Sequence, residues 1–309
     1  MERVKVGLKR VPKAADLSSG GSVVSNVLRT YHPEMPWAIV EVKNQLFAVA
    51  TQDMREMVMM PEVAQVPNVP DYIRGVINLR GRVMPVVDLR KRMGMTSALE
   101  ETESFCAMMR QREQDHRNWL NELEASVKEH RAFSLTTDPH KCAFGKWYDS
   151  YHADNAWVAA LLKKFDVPHQ QIHSVAVDIE KLKAGQEFDK AEQLTSQTRD
   201  GLLAMLVKLF AELKDVVRYA KRETAVILAS SNRLFAISVD VAQSIERFPA
   251  GNIEEISPLV PISHNGVVRR LARKSKSKDV VLLIETDSLM AGCDLTALPP
   301  PDSSTTMTK

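Results

Sequence analysis

A chain of 309 residues has room for two ordinary domains, or for one domain carrying a large insert. Its 44% hydrophobic and 26% charged residues are a globular balance, and a formal net charge of +2 leaves no overall field to gather nucleic acid or an anionic membrane. Aromatic residues, at 6%, are too few for base-stacking platforms; the three cysteines, Cys106, Cys142 and Cys293, suit a reducing, cytoplasmic compartment better than a disulfide scaffold.

Residues 1–35 hold "AADLSSGGSVVS" and little periodicity, which predicts a mobile tail with at most one short helix. The opening MERVKVGLKR has no apolar segment of the signal-peptide kind, and no later run approaches the roughly eighteen apolar residues needed to cross a bilayer. Residues 36–100 read as a first β subdomain. "WAIVEVKNQLFAVA" gives two strands about a Lys43-Asn44-Gln45 turn, and "VINLRGRVMPVVDLR" gives two more about Arg80-Gly81-Arg82.

Residues 101–222 change character. His116, Trp119, Leu120, Leu123 and Val127 share one helix face. Phe165, His169, Ile172, His173, Ala176 and Ile179 share another. Leu202, Met205, Leu206, Leu209, Phe210, Leu213 and Val216 form a third stripe. With a shorter helix near 145–162 this predicts a bundle of four helices. An even number returns the chain to its point of departure, so the bundle can sit as an insert.

Residues 223–296 read as a second β subdomain, with "TAVILASSNRLFAISVD" as a hairpin and "DVVLLIETDSL" as a buried strand. Residues 297–309, "ALPPPDSSTTMTK", predict a disordered tail. The two β segments look like copies of one plan. Leu46-Phe47-Ala48 answers Leu234-Phe235-Ala236, and fifteen residues after each Leu comes a proline, Pro61 and Pro249. Val49 with Ile237, Met57 with Ile245, and Met60 with Phe248 fall at matching offsets.

The insert brings together donors of one chemistry. His169 and His173 are four apart on one helix face; His116 stands on another helix and Cys142 opens a third. Three imidazoles and one thiolate suit tetrahedral zinc, and suit magnesium or calcium poorly. The competing reading is a set of hydrogen-bonded core histidines; His130, His140, His152 and His264 are read as core or surface residues of that kind. A zinc hydrolase would need an open metal position and a general base. "HQQIH" lacks the glutamate of the H-E-x-x-H pattern, so no catalytic residue is assigned.

"CAFGKWY" at 142–148, the His-x-x-Trp of His116 and Trp119, and "HQQIH" at 169–173 together resemble the chemoreceptor zinc-binding domain family. That resemblance implies one zinc ion per chain on His116, Cys142, His169 and His173, with Gly145 and Trp147 packing the turn after the cysteine. "YIRGVINLRGRVMPVVDLRKRMG" at 72–94 resembles the CheW-like coupling domain family. It implies an α+β fold of two small SH3-like five-stranded barrels, interrupted here by the bundle. It also implies partners: a chemoreceptor cytoplasmic tip and a CheA-type histidine kinase, met at receptor arrays, with Arg80 and Gly81 at the contact. A homo-oligomer through the bundle is a further expectation. The family pattern departs at "VVRRLARKSKSKD". Its six basic residues, Arg269, Arg270, Arg273, Lys274, Lys276 and Lys278, are either a partner surface or a solvated loop. Zinc in such a bundle is either purely structural or a sensor of zinc supply or oxidants.

Overall fold

β-branched residues alternating about tight turns set up the first segment. The structure, a computed structural model, describes residues 35–230, 233–256, 266–275, 277 and 279–293. Residues 1–34 of the first expected tail, the whole of the second, His264, Lys276 and Lys278 lie outside the described residues, while Met35 is described and buried.

In chain order come β1 (Pro36–Val42), β2 (Gln45–Ala50), β3 (Met54–Met59), β4 (Ile73–Leu79) and β5 (Arg82–Asp88), then the short α1 (Leu89–Arg92). Lys43 and Asn44 join β1 to β2 with φ of 50° and 61°; Arg80 and Gly81 join β4 to β5 with φ of 53° and 79°. Two consecutive left-handed residues are what a two-residue hairpin turn needs to match strand twist. The helical insert follows, as α2 (Ala98–Lys128), α3 (Ala143–Ser150), α4 (Ala156–Leu162), α5 (Asp166–Ala184), α6 (Phe188–Thr198) and α7 (Ala204–Ala220). The second β segment is β6 (Thr224–Ser230), β7 (Arg233–Val239), β8 (Val241–Arg247), β9 (Ile253–Glu255), β10 (Val268–Arg273) and β11 (Val280–Ile284), closed by α8 (Thr286–Leu289). Among the described residues no helix is long and apolar enough to cross a membrane.

The expectation of two closed five-stranded barrels is corrected. The strands form two open sheets, one of six in the order β8-β1-β2-β11-β10-β9 and one of five in the order β3-β6-β7-β5-β4. Each sheet draws on both segments, because the leading hairpins have changed places. β1 pairs with β8, and β2 runs parallel to β11, with Phe47 opposite Leu282. Reciprocally, β6 pairs with β3, and β7 runs parallel to β5, with Ala236 opposite Val86. The physical reason lies in burial. β1, β2, β6 and β7 are almost wholly buried, so both edges of each hairpin need partners, and the other segment supplies them. The repeat plan survives the exchange. Phe47 and Phe235 are both buried, as are Val49 and Ile237; Met57 and Ile245 each stand on an edge strand, β3 and β8.

The insert begins three residues before the expected 101, where Ser97 and Glu100 form a capping box on α2. It does not consist of four comparable helices. A 3₁₀ turn at Lys163–Phe165 joins α4 to α5, and a π turn at Arg199–Leu203 joins α6 to α7, so three long rods form the bundle and the eight-residue α3 packs on it through the buried Phe144. α2 and α7 run antiparallel, tied by Glu103–Arg218 near the β sheets, and at the far end Glu124 of α2 pairs with Arg199 in the π turn that precedes α7. The core holds Trp119, Leu120, Leu123, Phe144, Phe165, Ile172, Ile179, Leu206, Phe210 and Leu213, while Met205 of the predicted stripe faces solvent. Both ends of the bundle are fixed to the sheets by ion pairs. Arg90 of α1 bonds Asp240 after β7 (2.6 and 2.9 Å) and Glu101 in the first turn of α2 (2.7 Å). Arg74 of β4 pairs with Glu223, the residue that leads from the bundle into β6.

Candidate metal centre

Three helices deliver four donors to one point. The long α2 carries His116 on the face that also holds Trp119 and Leu120. Pro168 in the first turn of α5 is tolerated there, and the next residues on the buried face are His169 and His173. Cys142 is the N-cap of α3; its Sγ accepts from the Gly145 N–H at 3.1 Å. A side chain at Gly145 would meet backbone, since an added Cβ would stand 1.8 Å from the Pro139 carbonyl oxygen. Glycine is therefore required for the turn that aims the cysteine. Trp119 holds the loop that precedes the cysteine by donating Nε1–H to the Thr136 carbonyl (2.8 Å), and its ring stands edge-on to His173 at 4.9 Å.

The ligand atoms of His116, Cys142, His169 and His173 all lie within 4.8 Å of one another. Cys142 Sγ is 3.2 Å from His169 Nε2, and the ring centroids of His169 and His173 are 5.0 Å apart. His116, His169 and His173 are exposed by only 3%, 6% and 1%, yet His116 Nε2 and His173 Nε2 have no hydrogen-bond partner among the described residues. Burying an imidazole nitrogen without a partner is costly, and that cost is removed when the nitrogens converge on a cation. The donor set fits zinc: three neutral nitrogens and a thiolate at tetrahedral count. The Nδ1–H of His116 is held by the Arg112 carbonyl at 2.7 Å, which leaves Nε2 as the ligating atom.

The electrostatics agree. Burial pushes all three imidazoles down, His169 to about 3 and His173 to about 4, so they are neutral donors at pH 7. Burial pushes the Cys142 thiol up, against the pull of the Gly145 and Phe144 N–H groups, so a cation must displace its proton.

The other expected histidines stand apart from this cluster. His130 stacks on Phe188 at 3.8 Å, His140 pairs with Asp149 at 3.0 Å, and His152 bonds the Ser150 carbonyl. Arg80, at the tip of the β4–β5 hairpin, is 76% exposed and meets Glu56 at 2.8 Å; a Cβ on Gly81 beside it would meet nothing. In the basic segment Arg270 pairs with Glu285, Arg273 with Glu254 and Lys274 with Glu246, which makes these three part of the sheet's own charge pairing. The sequence reading missed the Arg112 carbonyl behind His116 and the Arg90 junction. The first had one signal, its place a helical turn before His116; the second depends on tertiary contacts.

Residues 37–116 match the CheW-like domain family, and residues 116–180 match the chemoreceptor zinc-binding domain family. The chemotaxis protein CheW of Rhizobium meliloti is 42% identical over 57 residues, covering 18% of this chain and 37% of that protein. Chemotaxis protein CheW of Bacillus subtilis is 41% identical over 54 residues, covering 18% and 35%. That of Helicobacter pylori is 24% identical over 87 residues, covering 28% and 53%. The chain thus spans only a third to about a half of the length of these relatives. A crystal structure of the scaffolding protein TtCheW from Thermoanaerobacter tengcongensis superposes with a TM-score of 0.39 at 13% identity, over 84% of this chain and 88% of that one.

Proposed function

We propose that this chain, which carries a CheW-like domain and a chemoreceptor zinc-binding domain, is a chemotaxis signal-transduction adaptor without catalytic activity of its own. Its β sheets couple a chemoreceptor cytoplasmic tip to a CheA-type histidine kinase in receptor arrays. Arg80 and Gly81 lie at the contact: an exposed arginine on a tight turn can fork onto a partner carboxylate or carbonyls. The bundle binds one zinc ion and reports zinc supply or oxidants to the adaptor. The observation that carries the reading is the convergence of one thiol and three imidazoles, two of the latter with unpartnered buried nitrogens, inside a domain spliced between coupling strands.

When bound, zinc would hold Cys142 as the thiolate, the form that oxidants attack. His116, His169 and His173 present neutral nitrogens, and the Gly145 N–H holds the sulfur in place. Loss of one of four ligands would remove one tie between α3 and α5, beside the bond from Tyr148 to Asp166, and α2 runs unbroken from His116 to Glu101 at the sheets. A metal can shift the adaptor only by binding two arrangements with different affinity.

The test is kinase output in a reconstituted receptor–kinase array with zinc-loaded, zinc-stripped and hypochlorite-treated protein, beside Cys142→Ser. Output that differs between loaded and stripped protein supports sensing. Identical output in all four leaves zinc a structural role. Metal analysis of Cys142→Ser and His173→Ala should show less than one zinc per chain; stoichiometric zinc in both would sink the ligand set.

A further inference from the structure

We infer that the cleft beside the four donors is a docking place for a small chelating molecule, of amino-acid to tripeptide size, which takes zinc from the site or delivers it. The inference rests on the zinc reading above and adds to it a route and a class of partner. The cleft has a volume of about 310 Å³, and its walls include Asp115, Asn118, Leu135, Lys141 and Ala143. That is the lower end of the range of pockets that hold small molecules.

The cleft reaches the donors from one side. His116, Cys142 and His173 all line the cleft. His169 does not; it lines a separate hollow of about 30 Å³ beside Pro139, Tyr148 and Asp166, room for little more than a water or two. Cys142 is half-buried where the three histidines are closed off, so a molecule entering the cleft meets the sulfur side first. The rim is balanced in charge. Asp115 pairs with Arg112 at 2.9 Å and Lys141 with Asp138 at 3.2 Å. Such a rim repels neither a carboxylate nor an ammonium, and an amino-acid-like chelator carries both.

The exchange balances simply. The chelator's ammonium gives up its proton as its nitrogen binds zinc, zinc leaves as the chelate, Cys142 takes up that one proton and ends as the thiol, and the three histidines end neutral. Release without the cleft would have to wait for the bundle to open, an event limited by local unfolding.

The experiment is zinc transfer from the loaded full chain to two acceptors, nitrilotriacetate, which fits the cleft, and an apo zinc-finger peptide, which does not. The transfer rate should rise in proportion to nitrilotriacetate concentration and be independent of peptide concentration. Asn118→Trp and Ala143→Phe place rings at the mouth on two exposed positions. Each should lower the nitrilotriacetate slope several-fold and leave the equilibrium zinc affinity unchanged. A rate independent of nitrilotriacetate, or wild-type slopes in both variants, overturns the inference. A chain that takes up no zinc at all defeats the zinc reading itself, whereas one that loads a zinc and loses it at a chelator-independent rate defeats only the cleft.

Discussion

Gly145 shows how closely the metal centre is built at single residues. Its missing side chain lets the Pro139 carbonyl approach, and its N–H holds the Cys142 sulfur. Gly145→Ala should cost about 1–3 kcal/mol of stability by overpacking and weaken zinc binding with it; unchanged melting and zinc affinity would refute the tight turn. The buried histidines predict a pH response in the stripped protein. An unfolded His169 or His173 gains its proton near pH 6.5, while the folded ring waits until about 3 or about 4. Between those limits the unfolded state binds more protons, so stability is full above pH 6.5 and falls as the pH is lowered, by up to about 1.4 kcal/mol per histidine per unit. Thermal melts of stripped protein from pH 7 to pH 4 should show this, and zinc should steepen it, because protons then compete with the metal. A flat profile would contradict the burial of these rings. His169 and His173 were legible in the sequence because a spacing of four sets one helix face. His116 and Cys142 were legible as donors of matching chemistry on neighbouring helices, and the family motif joined them to that pair. The Pro139 approach was not legible, since it is fixed by how the loop folds back.

At the scale of elements, the junction between α1, β7 and α2 carries the connection from metal to sheets. Arg90 is nine-tenths buried and serves Asp240 and Glu101 together, while Lys43 of the β1–β2 turn bonds Glu101 at 2.9 Å and donates its N–H to Asp240 at 2.7 Å. Arg90→Met would remove the buried guanidinium from the two carboxylates and leave Lys43 to bridge them. Removing one partner of a buried pair typically costs about 3–5 kcal/mol; with Glu101 and Asp240 partly open to water we expect about 1–3 kcal/mol. Hydrogen exchange should quicken at residues 43–45 and in the first turn of α2, and a zinc-dependent difference at residues 43–45 should vanish in the variant. Protection unchanged at both places would remove the junction from the path. The strands themselves were legible from alternation and turn residues. Their partners were not: a buried strand shows by its apolar run that both edges are covered, and nothing in that run says by which segment.

For the molecule as a whole, the bundle and the sheets have separate cores, joined through two short connections and the ion pairs beside them. Replacing residues 98–222 with a Gly/Ser linker should therefore leave a folded β protein with the strand order intact, read by circular dichroism and cooperative melting. Unfolded product at every linker length would show that the bundle is needed to hold the halves together. Arg80→Ala in the full chain should weaken receptor or kinase assembly with stability within about 0.5 kcal/mol of the parent, as for an exposed side chain.

The exchanged hairpins also set an order of events on the ribosome. β1 and β2 emerge early, yet Leu46 pairs with Val281 and Phe47 with Leu282, which are translated more than two hundred residues later. At roughly 5–20 residues per second, the apolar hairpin waits for a time on the order of ten seconds or more before its sheet can be completed. The helical bundle, with mostly local contacts, has everything it needs to fold inside that interval. By drawing its two ends together it shortens the gap that the late strands must close. A zinc supply present during synthesis would therefore act on the yield of folded protein, ahead of any role the site has once folding is complete.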